Sequence, residues 1–521
     1  MNFTIAPLDA TKTKADLLVL AVFEADLTDK KRRNAVLAAV DKRLKGLLLT
    51  TAAEEGFKGK AEQSLLLHTH GKIAAARVLL VGLGAEAKLE LEALRLAAGR
   101  AAKAAQKVRA RSIAWAGPAA GDLANNLRAA VEGLALGDYR FDRYRTTEKG
   151  EKAPPRIEKT ALLLPLGQKR SRLLDEAIAL GRKVADATNW ARDLVNEPAA
   201  VVTPKRLADD AEAIGKEFGL DVVVHGRKEI EKLSMGMFLA VAQGSAEGPK
   251  LIELTYLPKD AAAAKRPAVA LVGKAITFDS GGLSLKPADS MVDMKTDMAG
   301  AAAVLGAMRV IAQLAPPFPV RAYMGACENM PSGNAYRPGD ILTSRLGKTV
   351  EVTNTDAEGR LVLGDVLAYA NDAHPALLID LATLTGACMV ALGHYIAGAW
   401  GDDKAVRPVL EAARRAGEEV WRLPLSPMQK DALRSDVADM KNSGERWGSA
   451  INAALFLKEF VGDTPWVHLD IAGPSQSPKD RGYQSKGATG FGLRTLVEMV
   501  LQRSLEVDEA GARPPNPHSG G

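Results

Sequence analysis

Four carboxylates and two lysines stand in three short segments of the second half of the chain. Lys274, Asp279 and Lys286 belong to Gly273-Lys274-Ala275-Ile276-Thr277-Phe278-Asp279-Ser280-Gly281-Gly282-Leu283-Ser284-Leu285-Lys286-Pro287. Asp297 opens a small-residue helix within Met294-Lys295-Thr296-Asp297-Met298-Ala299-Gly300, and Asp356 and Glu358 belong to Asn354-Thr355-Asp356-Ala357-Glu358-Gly359-Arg360-Leu361. Four carboxylates brought together without cations repel one another and force some to stay protonated. Divalent metals remove that conflict, and acid-rich sites hold two ions about 3.5–4 Å apart, a spacing suited to hydrolysis. The glycines let backbone approach such ions closely. Asp and Gly also serve as ordinary turn residues and caps, and spacing alone leaves both readings open.

Other chemistries find less support. His68 and His70 form an HxH pair on an expected strand, facing one side. No further His or Cys lies near them in sequence, and they read as structural. There is no HExxH and no GxSxG, so the His-based zinc proteases and the serine elbow are excluded. Gly82-Leu83-Gly84-Ala85-Glu86-Ala87 is a partial dinucleotide fingerprint without the acid expected about 20 residues on, and reads as a tight turn. Only Cys327 and Cys388 are present. A disulfide framework is therefore excluded, a reducing compartment, most simply the cytoplasm, is expected, and both thiols read as buried and inert. The net charge of +6 is mild for this length. The densest basic run, residues 30–33, has no aromatic partners nearby and reads as a solvated helix face, with a nucleic-acid patch as the second reading.

The elements that position these residues follow from the apolar pattern. A chain of 521 residues is too long for one ordinary core, so two domains are expected. The apolar fraction of 47% is that of a soluble globular protein, and no stretch is long enough to span a bilayer. Residues 17–23 run straight into Glu24 and Asp26, as a strand does and a signal peptide does not. Further strands are expected at 77–81, 161–165, 268–272, 319–325, 349–353, 377–381 and 466–471. Helices are expected at 31–45, 89–108 and 171–195, from about 298, 361 and 403, and over 492–503. Such alternation predicts α/β architecture: two domains, each a mostly parallel or mixed sheet flanked by helices, with the acid-bearing segments just past the carboxyl ends of the second domain's strands, where the resemblance described next implies a dinuclear metal site. The ranges are 1–167 for the first domain, 168–200 for a connecting helix, 201–503 for the catalytic domain, and 504–521 for a disordered tail rich in Pro, Gly and charge. Residues 146–155 read as a surface loop.

These segments resemble the signatures of the leucine aminopeptidase family, the cytosol aminopeptidases. Residues 354–361 match its NTDAEGRL signature without a change. Similar to family segments are Ala191-Arg192-Asp193-Leu194-Val195-Asn196-Glu197-Pro198, Glu328-Asn329-Met330-Pro331-Ser332-Gly333-Asn334-Ala335-Tyr336-Arg337-Pro338-Gly339-Asp340, Asp380-Leu381-Ala382-Thr383-Leu384-Thr385-Gly386-Ala387 and Lys486-Gly487-Ala488-Thr489-Gly490. The likeness covers about residues 185–500. It is weaker in the first domain, where Tyr139-Arg140-Phe141-Asp142-Arg143-Tyr144 is the best match. Ala275 departs from the family's usual glycine after the metal-binding lysine.

The resemblance implies a metal-dependent aminopeptidase that releases leucine and other apolar residues from peptides with a free N-terminus. It implies that Asp279 and Glu358 bridge two divalent ions (manganese or zinc), that Lys274 and Asp297 complete one site, and that Asp356 completes the other. Lys274 must then be neutral to act as a ligand, whereas Lys286 stays charged and stabilises the oxyanion. Arg360 holds a bicarbonate ion as general base. Met294, Thr383, Gly386 and Ala472 line the pocket for the first side chain. The family also implies a homohexamer. Two rivals remain: another two-metal hydrolase such as a phosphoesterase, and DNA binding, a second role of some bacterial members.

Overall fold

The computed structural model describes residues 1–7, 9–29, 31, 33–146 and 153–512. They form two compact units. One comprises Met1–Asn189 and Lys479–Lys486; the other comprises Trp190–Pro478 and the chain from Gly487 onward. The helix Arg172–Asn196 carries the boundary.

In the first unit, β1 (Asn2–Pro7), β2 (Leu17–Val22), β3 (Ser64–His68), β4 (Arg77–Gly82), β5 (Ser112–Ala116) and β6 (Lys159–Leu164) form one sheet in the order β1-β6-β5-β2-β4-β3. All pairs are parallel except β3 with β4. Every residue of β2 is buried, because both faces of the sheet are covered. Leu17, Val19 and Ala21 join one apolar cluster with Leu94, Ala98 and Leu134. Leu18, Leu20 and Val22 join the other with Leu37, Val40 and Leu48. The two sets alternate because successive strand residues point to opposite faces.

In the second unit the main sheet is built from β7 (Asp221–His225), β8 (Lys250–Tyr256), β9 (Val269–Gly273), β10 (Ala275–Asp279), β11 (Val320–Asn329), β14 (Leu377–Ala382), β15 (Ile396–Gly401), β16 (Glu419–Arg422) and β18 (Trp466–Asp470). A side sheet contains β12 (Ile341–Thr343), β13 (Thr349–Glu351) and β17 (Met440–Lys441). The main sheet runs β16-β15-β18-β14-β9-β11-β8-β7. Its centre, β18-β14-β9-β11, is parallel and mostly apolar, as expected of strands covered on both faces. The long β11 pairs with β9 along Val320–Tyr323 and with β10 along Ala326–Asn329. Thus β9 and β10 follow one another beside the same strand, and Lys274 is the residue between them. The helix Ala299–Leu314 lies so close to β9 that a side chain on Gly273 would meet Ala301 Cα at 2.7 Å. The stretch Ala288–Leu314 is long and apolar enough to cross a membrane, but 78% of its most apolar window is buried inside the protein, as in a core helix.

Several expectations need correction. The expected strand at 349–353 is β13, in the side sheet, because it pairs with β12 and β17 and its outer residues are half-exposed. Within 273–287, expected as a loop, Ala275–Asp279 is a strand. His70 has left β3 for a turn with φ 49°, so the HxH pair does not share a strand. The helix expected from residue 31 starts at Ala35, where Asn34 caps it through Val36 N–H (2.8 Å); Lys30 and Arg32 lie outside the described residues. The last helix runs through Leu493–Ala512 rather than ending near Arg503. Ser504 and Leu505 carry it on, with the Ser504 hydroxyl bonded to the Val500 carbonyl (2.7 Å). Residues 513–521 and 147–152 lie outside the described residues.

Candidate metal and active site

The parallel register brings three strand ends together. Gly273 pairs with Leu381 and Ala382 with Asp470, so Lys274, Thr383 and Ile471 leave adjacent strands side by side. Lys274 is buried. Its ammonium lies 2.8 Å from Asp297 Oδ1 and 2.9 Å from Glu358 Oε1, and it donates to the Thr383 carbonyl (3.0 Å). Thr383 Oγ1 donates to the same Asp297 oxygen (2.7 Å). Ala275 is fully buried in β10, and Lys274 makes all three contacts with this alanine in place.

Asp279 ends β10 opposite Asn329, whose amide donates to Asp279 Oδ1 (2.8 Å) and to the Thr355 carbonyl (3.0 Å). Lys286 lies 2.8 Å from Asp279 Oδ2 and is also paired with Asp356. The Thr355 hydroxyl donates to the Gly281 carbonyl (2.6 Å) and accepts from Ser284 N–H (2.7 Å). Tyr336 adds a third tie to this segment, from its hydroxyl to the Thr355 carbonyl (2.6 Å). Gly281 and Gly282 have φ 85° and 66°. Any side chain there would press on Asp356 Oδ1 or Asn329 Oδ1 at 2.9 Å.

The carboxylates outnumber the cations among them. Two lysines, Lys274 and Lys286, face four acids, Asp279, Asp297, Asp356 and Glu358. Burial pushes the carboxyl of Asp297 well above the usual range; Lys274 opposes this, and Glu358 and Asp279 add to it. Glu358 and Asp356 are raised by burial and then by Asp279. Burial is the largest influence on both lysines and lowers them, but the surrounding acids outweigh it and hold each above the ordinary lysine range. Oxygens of Asp279, Asp356 and Glu358 lie within 4.8 Å of one another. Asp297 Oδ2 is buried without a hydrogen-bond partner among the described residues. Excess acid, an unpaired buried oxygen and oxygen-rich donors together fit divalent cations.

Arg360 stands in the first turn of the helix Glu358–Asn371 and is 6% exposed. Its Nη1 donates to the Asn442 carbonyl (3.0 Å), and its Nε has no partner among the described residues. Burial lowers its pKa to about 10, against the pull of Glu358, Asp470 and Asp356, which leaves it a cation at neutral pH. Of the expected pocket residues, Thr383 touches Asp297, and Ala472 N–H donates to Asp470 Oδ1 (3.1 Å). Gly386 starts the helix Gly386–Leu392, where a Cβ would meet nothing within 4 Å. Met294 is half-buried in the turn Met294–Thr296 just before Asp297.

Asp470, not singled out from sequence, is fully buried. It accepts from Leu384 N–H (3.2 Å), the Thr385 hydroxyl (2.7 Å) and Ala472 N–H, and so ties together the loops after β14 and β18. Asn329, Tyr336 and Asn442 were also missed as individual residues. The first two lie in a segment quoted for its resemblance, which was the available signal. Cys327 and Cys388 are buried free thiols, and burial pushes the Cys388 pKa up to about 12, as the inert reading requires.

The family model described as the cytosol aminopeptidase family, catalytic domain, matches residues 189–497, and the one described as its N-terminal domain matches residues 19–148. The chain belongs to the cytosol aminopeptidase family. It is 43% identical over 498 residues to a probable cytosol aminopeptidase of Alkaliphilus oremlandii, covering 94% of this chain and 97% of the relative. It is 45% identical over 502 residues to one of Solibacter usitatus, covering 96% and 99%. Among solved structures, a mutant of tomato leucine aminopeptidase is similar with a TM-score of 0.86 at 38% identity, over 96% of each chain. The bottromycin maturation enzyme BotP, solved in complex with Mn, gives 0.81 at 36%, over 94% of this chain and 100% of that one. Membership makes this chain a metal-dependent aminopeptidase acting on peptides, and the acidic cluster fits that requirement.

Proposed function

We propose that this cytosol aminopeptidase releases N-terminal residues, preferentially leucine and other apolar ones, at the cluster around Lys274 and Lys286. One observation carries the reading: four carboxylates converge on two lysines, one of them threaded between Asp297 and Glu358 at 2.8 and 2.9 Å. Asp279, Glu358, Lys274, Asp297 and Asp356 would together hold two divalent ions, manganese or zinc. Bound there, the ions would acidify water and polarise a carbonyl. Cations that take up the acids' charge leave burial unopposed at Lys274, and a buried lysine then favours its neutral form, the form that can donate a lone pair.

Lys286 keeps its charge and stabilises the oxygen that turns negative as the peptide bond is attacked. It suits this role because its partners Asp279 and Asp356 hold the side chain in the cluster while 14% of it stays exposed. Arg360 binds an oxyanion such as bicarbonate, which supplies the proton acceptor that the nearby carboxylates, engaged as ligands, cannot. Met294, Thr383, Gly386 and Ala472 shape an apolar hollow for the first side chain, with Asp470 fixing the backbone on which the last three stand. The family resemblance further supports a homohexamer, and a cytoplasmic enzyme accords with relatives named cytosol aminopeptidases.

Metal analysis with a panel of aminoacyl-anilides tests the reading. Leucyl-anilide is expected to turn over, and its N-acetylated form to resist, since the free amine is part of recognition. Rapid cleavage of the acetylated substrate, or preference for phosphate esters, would overturn the assignment.

A further inference from the structure

A cavity of about 300 Å³ opens in the first unit, at the carboxyl ends of β2, β5 and β6. This volume is at the small end of the range for ligand sites, about 300–1,000 Å³. In the order β1-β6-β5-β2-β4-β3, the chain leaves β2 toward β4 on one side and returns to β5 on the other. The loops after β2 and β5 therefore diverge, and open α/β sheets hold their ligands at such a divide.

The walls are mostly apolar and include Phe23, Val36, Pro118, Leu163 and Leu166, the last 78% exposed at the rim. The polar groups of the lining include three open backbone donors and two acids. The N–H groups of the lining residues Ala35, Ala119 and Ala120 have no acceptor among the described residues. Ala35 is the first residue of the nine-residue helix Ala35–Arg43, whose amino end favours negative charge. Trp115 is 1% exposed, and its indole Nε1 also has no acceptor among the described residues. That atom lies 2.9 Å from where a side chain on Gly117 would begin, and Gly117 lines the cavity. The buried lining acid, Asp26, offers little to a ligand: its two oxygens accept from Phe23 N–H and Asn34 N–H, both at 2.8 Å. Glu86 is the one exposed acid of the lining. Arg33, bonded through Nε to the Asp26 carbonyl (3.1 Å), brings a cation beside the helix start.

We propose that this cavity binds a phosphate ester of nucleotide size, with the phosphate on these donors and the nucleoside ring against the apolar walls. The site has no part in the peptidase reading and stands or falls without it. The test is calorimetric titration of the full-length metal-loaded enzyme with AMP, adenosine and inorganic phosphate, in the parent and two variants. Ala119→Asp places a carboxylate at an exposed lining position. Ala35→Pro removes one donor at a helix position that tolerates proline, after a residue already extended at φ −52° and ψ 128°. AMP is expected to bind once per chain, and each variant to weaken it by about tenfold or more, with leucyl-anilide turnover unchanged. No AMP binding at millimolar concentration, or equal binding by both variants and the parent, would overturn the proposal. Phosphate alone binding as tightly as AMP would refute the nucleoside half, and adenosine binding as tightly would refute the phosphate half.

Discussion

Each unit buries a cluster of charged side chains, and the two clusters are balanced differently. In the first unit Glu132 sits between Arg95 and Arg128 at 2.5 and 2.8 Å, and Arg95 also reaches Glu92 at 3.3 Å. In these contacts two cations meet two anions. In the second unit two lysines meet four carboxylates, and Asp297 keeps an oxygen with no partner among the described residues. Ion pairs of matched sign call for no outside charge, and they hold helices together. A cluster short of positive charge is stable as folded only by holding protons or by taking up cations. Burial does not separate the two, since each has a buried centre, Arg95 with Glu132 in one and Lys274 with Asp297 and Glu358 in the other. The surplus of one sign does, and it marks where an outside ion belongs.

The largest expected effect comes from removing an acid from the unbalanced cluster. Asp279→Ala should lose metal and activity together, by more than the factor of about 10²–10³ that one oxyanion donor supplies. Full activity in that variant would dissolve the contrast. Removing an acid from the balanced cluster should do something else. Glu132→Gln leaves two buried arginines short of their counter-charge and should cost about 3–5 kcal/mol of stability, read by denaturant unfolding, with normal metal content in the folded enzyme. Loss of metal there would mean that both clusters serve the site. Lys286→Ala should lower kcat by about 10²–10³, or about 2.7–4 kcal/mol, with metal near normal; equal metal loss would place Lys286 among the supports of the cage. Gly386→Ala should have the smallest effect. Its new methyl meets nothing within 4 Å, so stability should hold. The ratio of kcat/KM for leucyl- against alanyl-anilide should fall by at least about tenfold, the worth of one methyl group in a pocket. An unchanged ratio would remove Gly386 from the hollow.

The buried strands were legible because they are unbroken apolar runs; Leu17–Val22, Val269–Gly273 and Leu377–Ala382 lie within a residue or two of the expected places. Strands at the margins were not. Asn2–Pro7 ends in proline, Asp221–His225 is a short edge with polar ends, and Ile396–Gly401 is interrupted by glycine. Thr349–Glu351 has strand-forming residues, and nothing local says which sheet receives it. The acids and lysines of the site were legible because their segments resemble known signatures. Asp470 was not, because its partners Leu384 and Thr385 lie 86 and 85 residues away, and an acid at the end of an apolar strand has no local mark of what it will bind.

The glycines around Lys274 have a consequence for how such a centre can change over generations. A side chain on Gly359 would stand 2.6 Å from the Lys274 ammonium, and one on Gly300 would press on the Leu381 carbonyl and stand 3.0 Å from the Lys274 backbone nitrogen. A carboxylate exchanged for a neighbouring polar type still fits its space and leaves a weakened catalyst from which selection can recover. A methyl group at Gly359 displaces the lysine side chain, and one at Gly300 forces apart the backbone that carries it. In a lineage of such proteins, the empty positions are therefore expected to drift more slowly than the charged ones they accommodate.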